Sequence, residues 1–283
     1  MQEGISYLAG DELPAVIVNV TRGGPGLGNI APAQGDYFQA TKGGGHGVYH
    51  PIVLAPASVQ EAIDLTGLAF DLADRYRTPV IVLADGVVGQ MMEPVTLRDH
   101  ESPHDLPAKS WALGSRGDAK RVVQSISLEP EALESRNAQL QRKYTLVKSR
   151  EVRWDEHHLD DARLAVIAFG TPARVALSAV RAARCRGLPV GLLRPITLFP
   201  FPERQVAKLA GRLDGLLVVE MNQGQMLEDV QRASAGRTDV RFLGRLGGMV
   251  PTPEEVLEAL QDLAEGRDER HRRAGVQPTS VSV

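Results

Sequence analysis

The chain has 283 residues, enough for two α/β domains, and 43% hydrophobic and 24% charged residues are typical of a folded globular protein. Lysine and arginine total 32 against 35 aspartate and glutamate residues, so the net charge of -3 excludes an overall field that would attract nucleic acid or an anionic membrane. No apolar run reaches the roughly 18 residues of a membrane span, and the single cysteine, Cys185, excludes an intrachain disulfide or an iron–sulfur cluster held by this chain alone.

The first residues, MQEGISYLAG, have neither the basic start nor the apolar core of a secretory signal, which predicts a cytoplasmic protein. The first predicted strand, AVIVNV at 15–20, leads into the glycine-rich loop TRGGPGLG at 21–28. This loop follows the carboxyl end of the strand, where ligands bind in open α/β sheets. Arg22 offers a planar guanidinium group there, so we predict an anion-binding loop, although the spacing matches neither a dinucleotide-binding motif nor a P-loop.

Eleven of the 28 glycines fall within the first 50 residues, and a second cluster, TKGGGHG, occupies 41–47. It follows a short predicted helix that begins near Gln34 to Asp36. His46 and His50 are four residues apart, a spacing that suits zinc ligands on a helix, but three consecutive glycines disfavour a helix here. We therefore predict no metal site and a hydrogen-bonding or loop-closing role for these histidines.

The next predicted elements form one strand–helix–strand unit. Residues 51–55 and 80–85 are predicted strands, and a helix from a capping box at Ser58 to about Arg77 joins them. This order is typical of a parallel βαβ unit with a right-handed crossover. Residues 1–97 are thus predicted to form part of a doubly wound parallel sheet.

Residues 98–161 are predicted to form a charged connector, with a solvated helix at 130–149 and exposed histidines at 157 and 158. Beyond the connector, residues 162–265 are predicted to form a second compact α/β domain in which four strands alternate with four helices. The predicted strands and helices are 165–170, 171–186, 188–194, 203–213, 216–222, 225–233, 239–244 and 253–264. The tail, 266–283, lacks apolar periodicity and is predicted to be disordered.

Few other residues suggest chemistry. Glu220 ends a predicted strand beside Asn222, so it is either an acid or base, or a hydrogen-bonded residue at a strand end, and we favour the second interpretation. Cys185 is interpreted as a packing residue on its predicted helix. The motifs G-x-S-x-G, H-E-x-x-H and C-x-x-C are absent, so the sequence contains no complete catalytic set.

Long segments resemble the 2-oxoacid:ferredoxin oxidoreductases, and in particular the subunit that carries the pyrimidine-binding half of the thiamine diphosphate site. The resemblance is carried by AVIVNVTRGGPGLGNIAPAQGDYFQATKGGGHG, DGVVGQMMEPV, GLLRPITLFPFP and LLVVEMNQGQMLEDV, in that order. The stretches TKGGGHG and DGVVGQMMEPV are most similar to the type that acts on 3-methyl-2-oxobutanoate, a branched-chain 2-oxoacid. Pyruvate or 2-oxoglutarate as the substrate, and a non-catalytic docking subunit, remain alternatives.

The resemblance implies an incomplete doubly wound sheet of the pyrimidine-binding type, followed by a domain like the carboxyl-terminal domain of transketolase. It implies oxidative decarboxylation of the oxoacid that depends on thiamine diphosphate and coenzyme A, with electrons passing to ferredoxin. The implied partners are a thiamine-diphosphate-binding subunit, an iron–sulfur subunit resembling ferredoxin, and a gamma-type subunit. Thiamine diphosphate would be shared with the first partner, and Mg2+ and the iron–sulfur clusters would lie on partner subunits.

The resemblance assigns Arg22 to the substrate carboxylate and the nearby loops to shaping the site. The loop residues are Gly23, Gly24, Gly26, Gly28, Gln34, Asp36, Gly44, Gly45 and His46. Family members usually continue upstream of the point that matches Met1, with a threonine that helps hold the substrate and the glutamate that activates the aminopyrimidine ring. We therefore expect this chain to be a truncated subunit or the product of a misassigned start, with Met1 inside a helix that enters the first strand.

Overall fold

The computed structural model describes residues 1–97, 103, 106–109, 112 and 122–273. The helices and strands are, in chain order, α1 (Gln2–Gly10), β1 (Ala15–Thr21), α2 (Tyr37–Thr41), β2 (Ile52–Leu54), α3 (Val59–Tyr76), β3 (Pro79–Asp85), α4 (Pro130–Arg150), β4 (Trp154–His157), β5 (Leu164–Ile167), α5 (Gly170–Cys185), β6 (Val190–Pro195), β7 (Thr197–Phe199), α6 (Glu203–Ala210), β8 (Gly215–Glu220), α7 (Gln225–Ser234), β9 (Asp239–Gly244) and α8 (Pro253–Arg273). None of the helices in the described part of the chain is long and apolar enough to cross a membrane.

The first sheet has the strand order β1-β3-β2-β7. Strands β1, β3 and β2 are parallel, which confirms the predicted strand–helix–strand unit. The Ser58 side chain caps α3 by accepting a hydrogen bond from the Glu61 N–H at 3.1 Å, as the capping box predicts. Strand β7 pairs antiparallel with β2 and was not predicted, because a three-residue strand leaves almost no periodic pattern. The second half of the chain therefore completes the first sheet.

The second sheet has the strand order β4-β6-β5-β8-β9. Strands β5, β6 and β8 are buried along their whole length, as expected for parallel strands that are covered on both faces. The four predicted strands are present as β5, β6, β8 and β9 and are parallel to one another. Strand β4 was not predicted; it lies antiparallel at the sheet edge, where partial exposure allows the charged residues that suggested a connector.

One hydrophobic core runs between the two sheets. Side chains of the first sheet, such as Leu54 and Val82, belong to the same buried cluster as Leu216 of β8 and Met226 of α7. A separate buried cluster fills the other face of the second sheet, beneath α5 and α8. The shared core fixes the two sheets against each other and so brings distant segments of the chain to one edge.

The structure also bears on the expectations for the chain start, the tail, the connector helix and the two adjacent histidines. Helix α1 lies where a helix entering β1 was expected. Helix α8 continues to Arg273, so the prediction of disorder from Gly266 is wrong for the first eight residues of the tail, whereas 274–283 lie outside the described residues. Most of 98–121 in the predicted connector also lies outside them, and its helix extends over Pro130–Arg150, one residue beyond the predicted end. His158 is exposed as expected, whereas His157 is half-buried in β4.

Cys185 is exposed, so its interpretation as a packing residue is wrong. It is the last residue of α5 and lies two positions after Ala183, which is on the buried stripe of the helix. A step of two residues turns by about 200° around a helix and therefore points the side chain away from that stripe.

Candidate functional site

The candidate site lies at the edge of the first sheet where β1 and β3 end side by side. Thr21 and Asp85 are opposite each other in the strand register, and both are buried. The Thr21 hydroxyl lies within hydrogen-bonding distance of the Ala33 and Ala84 carbonyl oxygens, the latter at 3.1 Å. This bond ties the end of β1 to β3 and to the returning chain, and Arg22 then projects from a fixed point.

Residues 22–32, which we call the Arg22 loop, close on themselves through the backbone. The Gly23 N–H donates to the Ala31 carbonyl at 2.8 Å, and the Asn29 N–H donates to the Gly23 carbonyl at 3.0 Å. Gly28 has a φ of +47°, and a Cβ atom there would overlap the Gly23 carbonyl. Glycine is therefore required at position 28 by both the backbone conformation and the close approach.

The Arg22 side chain folds over its own loop. Its Nη1 donates to the carbonyl oxygens of Leu27 and of Gly23, the latter at 3.2 Å, and its Nη2 donates to the Gly26 carbonyl at 3.1 Å. Its Nε has no hydrogen-bond partner within the described part of the chain. Arg22 is also exposed, so a positively charged group with N–H donors to spare is held in a defined orientation at the sheet edge.

Large apolar side chains of the Arg22 loop and of a neighbouring loop are exposed to solvent. Leu27 and Ile30 of the Arg22 loop are 94% and 88% exposed. Leu246 and Met249, in the loop after β9, are also exposed, and the Asn29 side chain joins the two loops by donating to the Gly247 carbonyl at 2.9 Å. We call these four apolar residues the site rim. Exposed apolar groups that cluster in this way mark interaction surfaces.

Gln34 lies beneath the site, where it connects the two halves of the chain. Its backbone N–H donates to the Met221 carbonyl at 2.9 Å, and its side-chain oxygen accepts from the Met221 N–H at 3.0 Å. Its side-chain nitrogen donates to the Phe169 carbonyl at 3.0 Å, and the Asn222 side chain donates to the Gln34 carbonyl at 2.9 Å. Gln34 was predicted to shape the site, and it is fully buried in this bridging position.

Asp85 forms the second part of this connection, and no sequence pattern assigned it to the site. Its Oδ1 accepts the Thr171 hydroxyl at 2.7 Å and the N–H groups of Val87 and Val88, and its Oδ2 accepts the Thr171 N–H at 2.8 Å. Gly170 has a φ of +58°, and a Cβ atom there would lie 2.7 Å from the Asp85 carboxylate. We call Gln34, Asp85 and the groups they bond the seam. An acidic residue that ends a buried strand was the available signal, but its partner lies 86 residues away.

Glu220 is fully buried at the end of β8. One of its carboxylate oxygens accepts the Leu227 N–H at 3.0 Å, and the other accepts the Met226 N–H at 2.9 Å and the Asn222 side chain at 2.8 Å. Burial raises its pKa, and the nearby Asp229 carboxylate acts in the same direction. These bonds support the favoured interpretation of a hydrogen-bonded residue at a strand end, since its oxygens face the start of α7 rather than solvent.

The remaining predicted site residues are divided between two places. Asp36 precedes α2 and accepts a hydrogen bond from the Asn19 side chain of β1 at 3.0 Å, so it belongs to the site region. Gly24 and Gly26 lie at the open side of the Arg22 loop, where a Cβ atom would meet open space. Gly44 and Gly45 instead pack against Gln2 at the start of α1, and their nearest neighbours include no residue of the Arg22 loop.

His46 belongs to the same glycine-rich segment as Gly44 and Gly45. Its backbone carbonyl accepts the Ser6 hydroxyl at 2.6 Å, and its side chain is exposed. The Gly45 N–H donates to the Tyr49 hydroxyl at 2.9 Å, so the segment is fixed onto α1 and Tyr49. The structure thus brings together Arg22, Gln34 and Asp36, but not the second glycine cluster.

Thiamine diphosphate, which the resemblance implies, fits this edge only in part. The site rim offers apolar contact to a flat ring, and Arg22 offers N–H donors to an anion. The acids at the edge, Asp85 and Glu220, already accept hydrogen bonds from buried N–H groups, and the described residues contain no group of three or more His, Cys, Asp or Glu side chains that could hold a metal ion. These residues therefore do not fit the diphosphate and its Mg2+.

Comparisons with known proteins place this chain in a family. Residues 1–158 match the family described as pyruvate flavodoxin/ferredoxin oxidoreductase, thiamine diphosphate-binding, and residues 162–256 match pyruvate:ferredoxin oxidoreductase core domain II. The chain is 52% identical to the ketoisovalerate oxidoreductase subunit VorB of Methanothermobacter thermautotrophicus, over 93% of this chain and 74% of that protein. It is 36% identical to the 2-oxoglutarate synthase subunit KorA of Methanothermobacter marburgensis, over 93% of this chain and 77% of that protein.

A solved structure shares the fold. It is the 2-oxoglutarate:ferredoxin oxidoreductase from Magnetococcus marinus with 2-oxoglutarate, coenzyme A and succinyl-CoA bound. The TM-score is 0.75 at 23% identity, over 93% of this chain and 51% of that chain. At this level of identity the likeness supports the two-sheet α/β architecture and nothing finer.

Proposed function

This chain belongs to the 2-oxoacid:ferredoxin oxidoreductase family, and from this premise we propose that it is a subunit of a branched-chain 2-oxoacid:ferredoxin oxidoreductase. The proposed reaction is the oxidative decarboxylation of 3-methyl-2-oxobutanoate with coenzyme A, which yields the acyl-CoA, CO2 and two electrons for ferredoxin. Thiamine diphosphate, when bound, supplies the electron sink for this decarboxylation. The contribution of this chain is to bind and orient the oxoacid and to present an apolar surface to its partner.

The proposed substrate rests on one observation, the higher identity to the ketoisovalerate subunits than to the 2-oxoglutarate subunits. The charges at the site support it. The Arg22 loop and the loop of the site rim carry two cations among the described residues, and one of them, Arg245, is paired with Glu255 at 3.0 Å. One available guanidinium suits an acid with one carboxylate and an apolar branched side chain, whereas 2-oxoglutarate has a second carboxylate to neutralise.

Arg22 is proposed to hold the substrate carboxylate. The carbonyl oxygens of Leu27 and Gly26 orient its guanidinium, and the N–H groups that these carbonyls do not use are available to an anion. A charge-assisted hydrogen bond of this kind contributes about 1.5–3 kcal/mol once solvent is excluded. Exclusion of solvent requires the partner, because Arg22 is exposed in this chain alone.

We propose that a thiamine-diphosphate-binding subunit supplies the diphosphate and Mg2+ half of the site and docks on the site rim. The iron–sulfur clusters are assigned to a ferredoxin-like subunit, because this chain has one cysteine. A gamma-type subunit completes the proposed complex. The division into a pyrimidine-binding part (1–97), a connector (98–161) and a transketolase-like domain (162–265) is part of the same proposal, and the family matches that end at 158 and begin at 162 support it.

The seam is proposed to position the site. Gln34 and Asp85 fix the first half of the chain to Phe169, Thr171 and Met221 of the second half. The loop that carries Leu246 and Met249 therefore stays beside the Arg22 loop, and the site rim is held as one surface.

The test is oxoacid-dependent reduction of a viologen dye under anaerobic conditions, with coenzyme A, by the complex of this chain with its partner subunits. We expect kcat/KM for 3-methyl-2-oxobutanoate to exceed the values for pyruvate and 2-oxoglutarate by about tenfold or more, the discrimination that one unpaired charge provides. A preference for either other acid would contradict the proposed substrate. An assembled complex that is inactive on all three would instead support the docking subunit.

A further inference from the structure

A cleft of about 800 Å3 lies away from the candidate site, between the two halves of the chain. Its volume falls within the range of small-molecule sites. Its walls come from the segment after α2, the end of α4, the start of β4, the segment from β7 into α6, and α7. The lining residues used below are Lys42, Lys148, Arg150, Trp154, Phe199, Arg204, Asp229 and Arg232.

The cleft lies at the amino-terminal ends of the parallel strands of the first sheet, whereas Arg22 lies beyond the carboxyl end of its strand. Strand β2 begins at Ile52, and His50, which lines the cleft, lies two residues before it. Phe199, the last residue of β7, pairs with Val53 in the antiparallel register and so lies toward the same end. Arg22 follows the carboxyl end of the parallel strand β1, so a ligand in the cleft does not reach the oxoacid site.

The walls of the cleft carry an excess of positive charge. Five cationic side chains line it, against the two carboxylates of Asp229 and Glu203. Lys42 and Arg232 pair with Asp229 at 2.5 Å and 3.2 Å, and Arg232 also pairs with Glu203. Lys148, Arg150 and Arg204 pair with no carboxylate within the described part of the chain. Three cations are therefore available to a polyanion.

A second wall is flat, apolar and held in position. The Trp154 indole N–H donates to the Glu156 carboxylate at 2.9 Å, which fixes the plane of the ring. Phe199 stacks on His50 with ring centroids 4.5 Å apart, and the Lys148 ammonium lies 5.6 Å from the centre of the Phe199 ring. Burial lowers the pKa of His50, so its ring adds no charge near neutral pH. Ordered aromatic rings beside available cations suit a ligand with a planar base and phosphate groups.

We propose that this cleft binds a nucleoside diphosphate, with its phosphates on Lys148, Arg150 and Arg204 and its base against Trp154. Inorganic phosphate alone would leave the aromatic wall unused, and an uncharged nucleoside would leave the three cations without an anion. Coenzyme A contains the same adenine and diphosphate, so free nucleotide and coenzyme A are the two sources to be distinguished. Because the walls belong to both halves of the chain, the bound ligand stabilises their arrangement.

The test uses fluorescence of the full chain. The protein has two tryptophans, Trp111 and Trp154, so a W111F variant reports on the cleft alone. We expect ADP to quench Trp154 in a saturable way, with a dissociation constant in the micromolar range, and adenosine and inorganic pyrophosphate each to bind about tenfold more weakly. A parallel titration with coenzyme A identifies the source: comparable binding points to coenzyme A, and weaker binding points to free nucleotide. ADP should also raise Tm by several degrees.

The matched variants are K148A/R204A in the cleft and R142A/R186A outside it, each in the W111F background. Both pairs remove two exposed cations, and Arg142 lies on the same helix as Lys148. We expect the first pair to weaken ADP binding by about tenfold or more and the second by less than about twofold. Equal weakening by both pairs, binding of pyrophosphate or adenosine as tight as that of ADP, or no saturable quenching would each overturn the proposal. The readout needs no partner subunit, so it is independent of the proposed oxidoreductase activity.

Discussion

The Arg22 loop and the seam lie on the same edge of the first sheet, yet they are held in opposite ways. The loop is exposed and keeps its shape through backbone hydrogen bonds, a glycine with positive φ at Gly28, and an arginine folded over its carbonyl oxygens. The seam is buried and is held by the side chains of Gln34 and Asp85, which bond to the other half of the chain.

The two regions therefore have different roles in the molecule. A loop with the proposed role of binding an anion cannot be covered within its own chain, so local contacts provide its rigidity and Arg22 stays accessible. A junction that must hold two sheets together can be covered, and buried hydrogen bonds to a charged group are stronger and more costly to break than exposed ones. We therefore expect seam variants to lose stability, and loop variants to lose activity before stability.

The largest expected effect is on the seam. Asp85→Ala removes the acceptor of four hydrogen bonds and leaves buried donors such as the Thr171 N–H without a partner. The free energy of unfolding should fall by about 3–5 kcal/mol, measured by urea denaturation. Asp64→Ala, on the exposed side of α3, is the control and should change it by less than about 0.5 kcal/mol. Similar losses for both variants would mean that the seam does not hold the halves together.

The second effect is on substrate binding at the loop. In the assembled complex, Arg22→Ala should lower kcat/KM for the oxoacid about a hundredfold, because the carboxylate loses a charge-assisted contact. Asn29→Ala is the control, since it removes the bond to Gly247 but keeps the cation, and it should cost less than about tenfold. Unchanged kinetics in Arg22→Ala would refute the carboxylate role, and Arg22→Lys tests whether the planar guanidinium is required.

The third expected effect is on the rigidity of the Arg22 loop, which is tested at two glycines with positive φ. Gly28→Ala places a Cβ atom against the Gly23 carbonyl and should cost about 1–3 kcal/mol, with lowered kcat/KM because Arg22 loses its support. Gly26→Ala has a similar φ of +63° but open space around the Cβ, so its cost should be lower, about 1 kcal/mol. Urea denaturation of both variants separates the two causes. Equal costs would show that backbone conformation alone requires glycine.

The smallest expected effect is a pH dependence beside the seam. Burial raises the pKa of Glu220, so the folded chain retains this proton at pH values where the unfolded chain has released it. The contribution of Glu220 to stability is therefore present below its unfolded pKa and is lost as the pH rises through the folded value. The stability difference between the natural chain and Glu220→Gln should shift in favour of the variant as the pH rises above the unfolded-state pKa of Glu220. Glu228→Gln, at an exposed position of α7, is the control and should show no such trend.

Local signals allowed much of the fold to be predicted. The strands β1, β3, β5 and β8 are apolar runs bounded by turn residues, and Ser58 and Glu61 mark the start of α3. The glycine-rich loop at the end of β1 is where the sequence predicts a ligand, and that assignment stays a prediction. Strand β7 and the antiparallel β4 escaped, because the first has three residues and the second is a partly exposed edge strand with polar residues.

The candidate site was predictable only in its local part. Arg22 and its glycines are contiguous with β1, so their position followed from the strand. Asp85 and Thr171 are 86 residues apart, and neither belongs to a pattern that indicates the other. The TKGGGHG segment was assigned to shaping the site by its resemblance to family loops; its glycines pack on α1, and that assignment stays a prediction.

The sequence by itself determined the α/β class, the parallel strands, the local position of Arg22 in its glycine-rich loop and the family. These properties depend on residue types within a few positions of one another, where side-chain periodicity and backbone conformation act directly. Only the tertiary structure decided which residues of the two halves meet at the seam and that β7 completes the first sheet. It also decided that an aromatic and cationic cleft lies at the amino-terminal ends of the parallel strands, opposite the Arg22 loop. Those features arise from the burial of a shared core, which brings together residues that no local interaction relates.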